Sequence, residues 1–164
     1  MSNFIVLVGL PYSGKSFLKN NLGLNDYVTV SSDNIILEWA LAENKSYNEI
    51  FKDRVDEAQK ESVRRMLSAL KEKKDIIIDQ TNLTKASRAR KLSQVPKDYK
   101  KICIVVPEPT DEELESRKKE RTSHKVPDSV LVDMRKLYQT PSIEEGFDTI
   151  YYAGFDDIII TNES

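Results

Sequence analysis

The octapeptide Gly9-Leu10-Pro11-Tyr12-Ser13-Gly14-Lys15-Ser16 constrains this chain more than any other stretch. It matches the P-loop pattern G-x-x-x-x-G-K-[ST] at every fixed position. A run of strand-formers, residues 4–8, precedes it, and a helical pattern over 15–22 follows, which is the strand–loop–helix setting that the motif requires. Gly9 and Gly14 let the backbone turn so that successive N–H groups face one point, and the helix behind them adds its positive end. In such a loop Lys15 meets the β/γ charge of a nucleoside triphosphate, and the Ser16 hydroxyl is placed to ligate Mg²⁺. The loop therefore predicts a triphosphate site and leaves its use undetermined.

Further strand-like runs recur at 27–30, 75–79, 101–106, 149–152 and 157–160, with helical patterns between them. That alternation predicts an α/β fold, a parallel sheet flanked by helices, and the length of 164 residues suits one domain. Ser46-x-x-Glu49 opens the longest helical pattern, and Thr110-x-x-Glu113 opens a nearly all-charged one over 111–121. Pro127 suits the first turn of another helix reaching about residue 138, and Ser142-x-x-Glu145 suits a short last turn. The one cysteine, Cys103, sits in an apolar run and reads as a buried strand residue. Trp39 reads as a packing residue. A net charge of -2 gives no global argument for a polyanionic partner. No apolar run approaches a membrane span, and the chain enters a strand at once, so neither a membrane anchor nor a signal peptide is expected. A cytoplasmic protein, or one made and used inside a host cell, follows. Monomer and homo-oligomer are equally compatible with the sequence.

Phosphoryl transfer needs, besides the cradle, a metal site, a group to orient or deprotonate the acceptor, and cations for transition-state charge. The apolar strand 76–78 ends in Asp79, a Walker-B-like carboxylate that could hold Mg²⁺ or cap a turn. Asp33 follows the short strand 27–30 and could take a proton from an attacking hydroxyl or cap the helix that begins near Asn34. The two roles are compatible. Arg117, Arg121 and Lys125 lie on and just past the polar helix. The first two share a helical face, which suits either a lid over phosphates or pairing with Glu113, Glu115 and Glu120. A basic cluster of Lys85, Arg88, Arg90, Lys91, Lys97, Lys100 and Lys101 is either a footprint for a polyanion or solvated surface.

Taken together these residues resemble the kinase domain of the polynucleotide 5′-hydroxyl kinases, both the phage end-healing enzymes and the kinase half of animal kinase–phosphatases. The matching stretches are residues 9–16, Ser32-Asp33, Asp79-Gln80-Thr81-Asn82, Ala86-Ser87-Arg88-Ala89-Arg90, Arg117-x-x-x-Arg121-x-x-x-x-Val126-Pro127, and residues 138–147. The resemblance implies an adenylate-kinase-like P-loop domain with a helical lid, ATP as donor, Mg²⁺, and the 5′-OH ends of nucleic acids as partners. By it, Gly9, Ser13, Gly14, Lys15, Ser16, Phe17, Arg117 and Arg121 bind the nucleotide. Lys15, Asp33 and Arg121 are catalytic, with Asp33 as general base. Asp33 and Arg88 meet the acceptor, and Ser16 and Asp79 the metal. The sequence departs from the phage pattern at Ile36, where those enzymes carry an arginine for the acceptor's phosphate. It also lacks a D-x-D-x-T/V phosphatase motif, so 3′-phosphatase activity is not expected. A small-molecule or nucleoside kinase on the same fold is the alternative.

Overall fold

The structure, a computed structural model, describes residues 1–121, 125–153 and 158–161, and for residues 16 and 158–161 the backbone alone. Strand β1 (Asn3–Val8) is the centre from which the rest is built. Five of its six residues are buried, because β3 (Ile76–Ile78) pairs with it on one side and β4 (Lys100–Val105) on the other, both parallel. A parallel strand covered on both faces reads as a continuous apolar run. β2 (Val28–Val30) lies outside β3 and β5 (Thr149–Ala153) outside β4, completing five parallel strands. The order β2-β3-β1-β4-β5-β6 sends the chain first to one side of β1 and then to the other. Such a reversal opens a crevice at the carboxyl ends of the strands.

The last strand adds an antiparallel edge to the parallel sheet. β6 (Ile158–Thr161) runs antiparallel to β5. Only residues 154–157 separate the two, and a parallel return needs a crossover of a dozen residues or more.

Two apolar layers cover the sheet. One contains Phe4, Val6, Val8, Met66, Leu70, Ile76 and Ile78, the other Ile5, Leu7, Ile77, Ile102 and Ile104, as the two-residue period of the strands requires. Cys103 is in the first layer, fully buried. Helix α1 (Lys15–Asn21) follows the P-loop. α2 (Ser32–Glu43) and α3 (Tyr47–Lys71) form a hairpin closed by Ile35, Ile36, Ala40, Ile50 and Ala58. The partly buried Trp39 packs there with Arg54 over its ring at 4.1 Å. The Ser46 hydroxyl accepts from Glu49 N and starts α3, which kinks at Arg54. α4 (Lys85–Leu92), α5 (Asp111–Glu120) and α6 (Asp128–Leu137) complete the set. The capping box at Thr110 forms, and α5 buries only Leu114. Among the described residues no helix is long and apolar enough to cross a membrane.

The turn after β3 fastens the strand ends that carry the site. Asn82 is in the left-handed region, at φ 49°, which asparagine tolerates. Its buried side-chain amide donates to the carbonyls of Leu7 (2.6 Å) and Gln80 (3.1 Å). Gly9 N donates to Thr81 O, and Asp79 N donates to Val30 O. The ends of β1, β2 and β3 are thereby tied to one another.

Candidate active site

At this tied edge the P-loop wraps one end of a cavity of about 920 Å³. Gly14 has φ 94°, and a Cβ on Gly9 would stand 3.2 Å from the Val106 carbonyl oxygen and 2.9 Å from Ser13 Oγ, so both positions need glycine. Lys15 Nζ donates to the carbonyls of Gly9 (2.9 Å) and Leu10 (3.0 Å). Ser13 Oγ is buried and, among the described residues, without a hydrogen-bond partner. A buried hydroxyl in that state is costly unless a ligand oxygen meets it. Phosphate oxygens at the loop fit this donor set. Phe17 lies in the first turn of α1, where backbone N–H groups lack helical partners; its side chain is 65% exposed and does not line the cavity. Phe17 thus has only its backbone to offer the loop. The Ser16 side chain lies outside the described atoms.

Asp79 and Asp33 line the cavity with the loop. Burial dominates at Asp79 and raises its pKa, against the pull of Lys15 and Lys19. Among the described residues there is no group of three or more His, Cys, Asp or Glu side chains able to hold a metal. A single carboxylate suits Mg²⁺ in a site where phosphates and waters supply the remaining oxygens. Asp33 is not the cap of α2: the Ser31 hydroxyl accepts from Asn34 N, and Asp33 sits one residue into the helix. Its carboxylate is left to face the cavity, where Tyr47 Oη donates to Oδ1 at 2.6 Å.

Lys15 feels all of these charges. Burial lowers its pKa to about 8, the carboxylates of Asp79 and Asp33 pull it back up, and the Arg121 charge pushes it down. The sign of a pH effect follows. The ammonium is the form that attracts phosphates, and it is lost from the ATP-free protein as pH rises through about 8. A bound triphosphate retains the proton. kcat/KM for ATP, which reports the free enzyme, is therefore expected to fall above about pH 8, while kcat holds to higher pH. Initial-rate pH profiles check this.

The arginines past β4 reach the loop. Arg117 donates through Nη1 to the Tyr12 carbonyl (2.5 Å) and through Nη2 to Glu113 (3.2 Å), so it touches the loop while pairing within α5. Arg121 lies just beyond α5, its guanidinium 4.2 Å from the centre of the Tyr12 ring. Lys125, Val126 and Pro127 continue the same wall.

Arg88 is a correction. Its side chain is fully buried, away from the cavity lining. It pairs with Glu145 (2.8 Å) and donates to the carbonyls of Asn82 (2.8 Å) and Gln139 (2.9 Å). It is a strut between α4 and the segment after α6. Of the rest of the basic cluster, Lys85, Arg90, Lys97 and Lys100 stay exposed. Lys91 is turned inward onto Asn82 and Ser87, with its pKa lowered to about 8 mainly by burial. Lys100 and Lys101 begin β4, at the sheet edge opposite the cavity. Ile36 is in the core of the α2–α3 hairpin and contributes nothing to the cavity.

What the sequence reading missed is the far wall. Tyr47 and Phe51, four apart on α3, stack with ring centres 5.8 Å apart and planes 23° from parallel. Leu37, Asn34 and Asn48 stand with them, and Val130 and Met134 of α6 line the same cavity. Phe51 is 45% exposed, an aromatic face left uncovered.

This fold and this loop define a P-loop nucleotide site on a kinase-like scaffold. A family model described as an AAA domain (AAA_33) matches residues 4–141, and the chain belongs to that family. Solved structures of the same fold include the Pnkp1/Rnl/Hen1 RNA repair complex, at 22% identity and TM-score 0.61, covering 83% of this chain and 43% of that one. A gluconokinase from Sinorhizobium meliloti 1021 is similar at 16% identity and TM-score 0.54, covering 92% and 82%. The PezAT toxin–antitoxin system of Streptococcus pneumoniae is similar at 17% identity and TM-score 0.62, covering 93% and 66%. At these identities the likeness concerns the fold.

Proposed function

We propose that residues 1–164 act as one kinase domain that transfers the γ-phosphate of ATP to the 5′-OH end of DNA or RNA. The observation that carries this is the continuity of one cavity. It runs from the phosphate loop, past the carboxylate of Asp33, to the stacked rings of Tyr47 and Phe51. A hydroxyl beside Asp33 with a flat base behind it is what that sequence of groups suits.

In the step proposed, Tyr47 keeps Asp33 Oδ1 engaged, and the proton of the 5′-OH passes to Oδ2. The 5′ oxygen forms a bond to the γ-phosphorus as the bond from that phosphorus to the β–γ bridging oxygen breaks, and ADP leaves. Lys15 and Arg121 offset the charge that develops on the transferring group. Mg²⁺, held through Asp79 and Ser16, would supply further charge neutralisation at the phosphates.

Charge placement on the acceptor side does not separate a nucleic-acid end from a small acid, and the base-sized aromatic wall is what favours the former. The cations that line the cavity, Lys15, Arg117, Arg121 and Lys125, come from the P-loop, α5 and the residues that follow α5. The α2–α3 side brings, apart from Asp33, only the uncharged Asn34, Leu37, Tyr47, Asn48 and Phe51 among the described residues. Neither the carboxylate of a sugar acid nor the phosphate of an oligonucleotide finds a counter-charge from α2–α3 there. The Pnkp1-containing assembly, by its name an RNA repair complex, adds support for a nucleic-acid acceptor.

Stacking of a base on an aromatic side chain contributes about 1–3 kcal/mol. Phe51→Ala is accordingly expected to raise the KM for a 5′-OH oligonucleotide roughly tenfold or more, with the KM for ATP unchanged. An oligonucleotide whose first residue is an abasic sugar should show no difference between wild type and variant. Equal losses on both substrates would remove Phe51 from the acceptor site.

A further inference from the structure

The function above leaves Tyr12 unexplained. It occupies a variable position of the P-loop, and its backbone is in the left-handed region, at φ 66°. A bulky side chain is disfavoured there, and glycine would fit without strain. The ring is nevertheless buried, packed with Leu114 of α5, Leu131 of α6 and Val126 between them. Its hydroxyl accepts from Val126 N at 2.9 Å. Its carbonyl accepts from Arg117 at 2.5 Å. The Arg121 guanidinium rests 4.2 Å from the ring centre. One strained residue of the phosphate loop therefore meets three separate groups of the segment that carries the arginines.

We propose that Tyr12 is a positioning residue for phosphoryl transfer, and that its ring presets the Arg121 guanidinium beside the phosphate loop. A free arginine side chain samples many rotamers, and each must be given up when the guanidinium engages a phosphate. A cation over an aromatic face is held, but more weakly than a cation in charge-assisted hydrogen bonds to phosphate oxygens. The ring can thus limit where Arg121 waits without retaining it. The Val126 bond and the apolar packing fix the ring itself. Tyr12 acts through Arg121 and has no chemical role of its own.

The proposal rests on γ-phosphate transfer and is independent of the acceptor. Its test is a double-substitution cycle with Tyr12→Leu, Tyr12→Phe and Arg121→Ala, read as release of γ-phosphate to any acceptor, water included. Thermal unfolding and binding of an ATP analogue are measured alongside. Tyr12→Leu is expected to lower kcat about tenfold while KM for ATP changes less than about threefold, the pattern of an interaction acting in the transition state. Tyr12→Phe keeps the aromatic face and restores most of kcat, although it loses the Val126 bond and melts lower. In the Arg121→Ala background, Tyr12→Leu costs nothing further, because the residue it positions is gone. Multiplying effects of the two substitutions, or a phenylalanine variant as slow as the leucine one, would overturn the proposal. A failure of transfer to oligonucleotides alone, with the cycle still coupled on water, would count against the acceptor assignment and leave Tyr12 in place.

Discussion

Asp33→Asn is expected to fold, to bind ATP as the wild type does, and to lose at least about a hundredfold in kcat, the usual reach of a general base. The geometry makes the substitution clean. Tyr47 Oη donates to Asp33 Oδ1, and the asparagine carbonyl oxygen can accept the same bond. The helix start is secured by Ser31, so no cap is lost. What disappears is the oxygen that takes the proton. A single-turnover assay with a 5′-OH oligonucleotide, paired with ATP-analogue binding and a melting curve, checks it. Near-wild-type turnover would remove Asp33 from the chemistry.

The second large effect concerns stability. Arg88→Ala removes a guanidinium with no exposed surface and leaves the Glu145 carboxylate, itself only 9% exposed, without its cation. Breaking one partner of a buried pair costs about 3–5 kcal/mol, a large share of the roughly 5–15 kcal/mol that holds a domain folded. The carbonyls of Asn82 and Gln139 lose their donors in the same step. Urea unfolding should show the loss. Arg88→Met combined with Glu145→Leu should recover part of it, since removing both charges leaves neither one uncompensated. In whatever fraction remains folded, KM for the acceptor should not change. A selective rise in that KM would return Arg88 to the acceptor site.

Arg88 also marks where reading one sequence stopped working. It stands among six other basic residues, and its partner Glu145 is 57 positions away. Charge density along a chain is visible, but pairing across the fold is not. The P-loop, the five parallel strands and the caps at Ser46 and Thr110 were legible because each is a local pattern with a local cause: period, turn geometry or a hydroxyl placed before a helix. Asp33 was legible as a strand-end carboxylate able to line a cavity, and the choice between capping and facing that cavity turned on Ser31, two positions earlier. Phe51 directly follows Ile50 in α3, and both are apolar. Ile50 is buried and Phe51 faces the cavity, a difference of one residue around a helix that also kinks at Arg54. Tyr12 gave no signal, since nothing in a tyrosine announces a positive φ. The direction of β6 was within reach, because four residues after β5 allow only an antiparallel return.

Function here rests on what the hydroxyl acceptor is, and one measurement addresses it. The purified chain is incubated with Mg²⁺ and ATP labelled at the γ-phosphate, in parallel with a 5′-OH oligonucleotide, the same oligonucleotide already 5′-phosphorylated, gluconate, other polyols and free nucleosides. The account predicts label at the 5′ end of the unphosphorylated oligonucleotide and none on its phosphorylated twin. Label appearing on a small molecule, with the oligonucleotide left untouched, would contradict it.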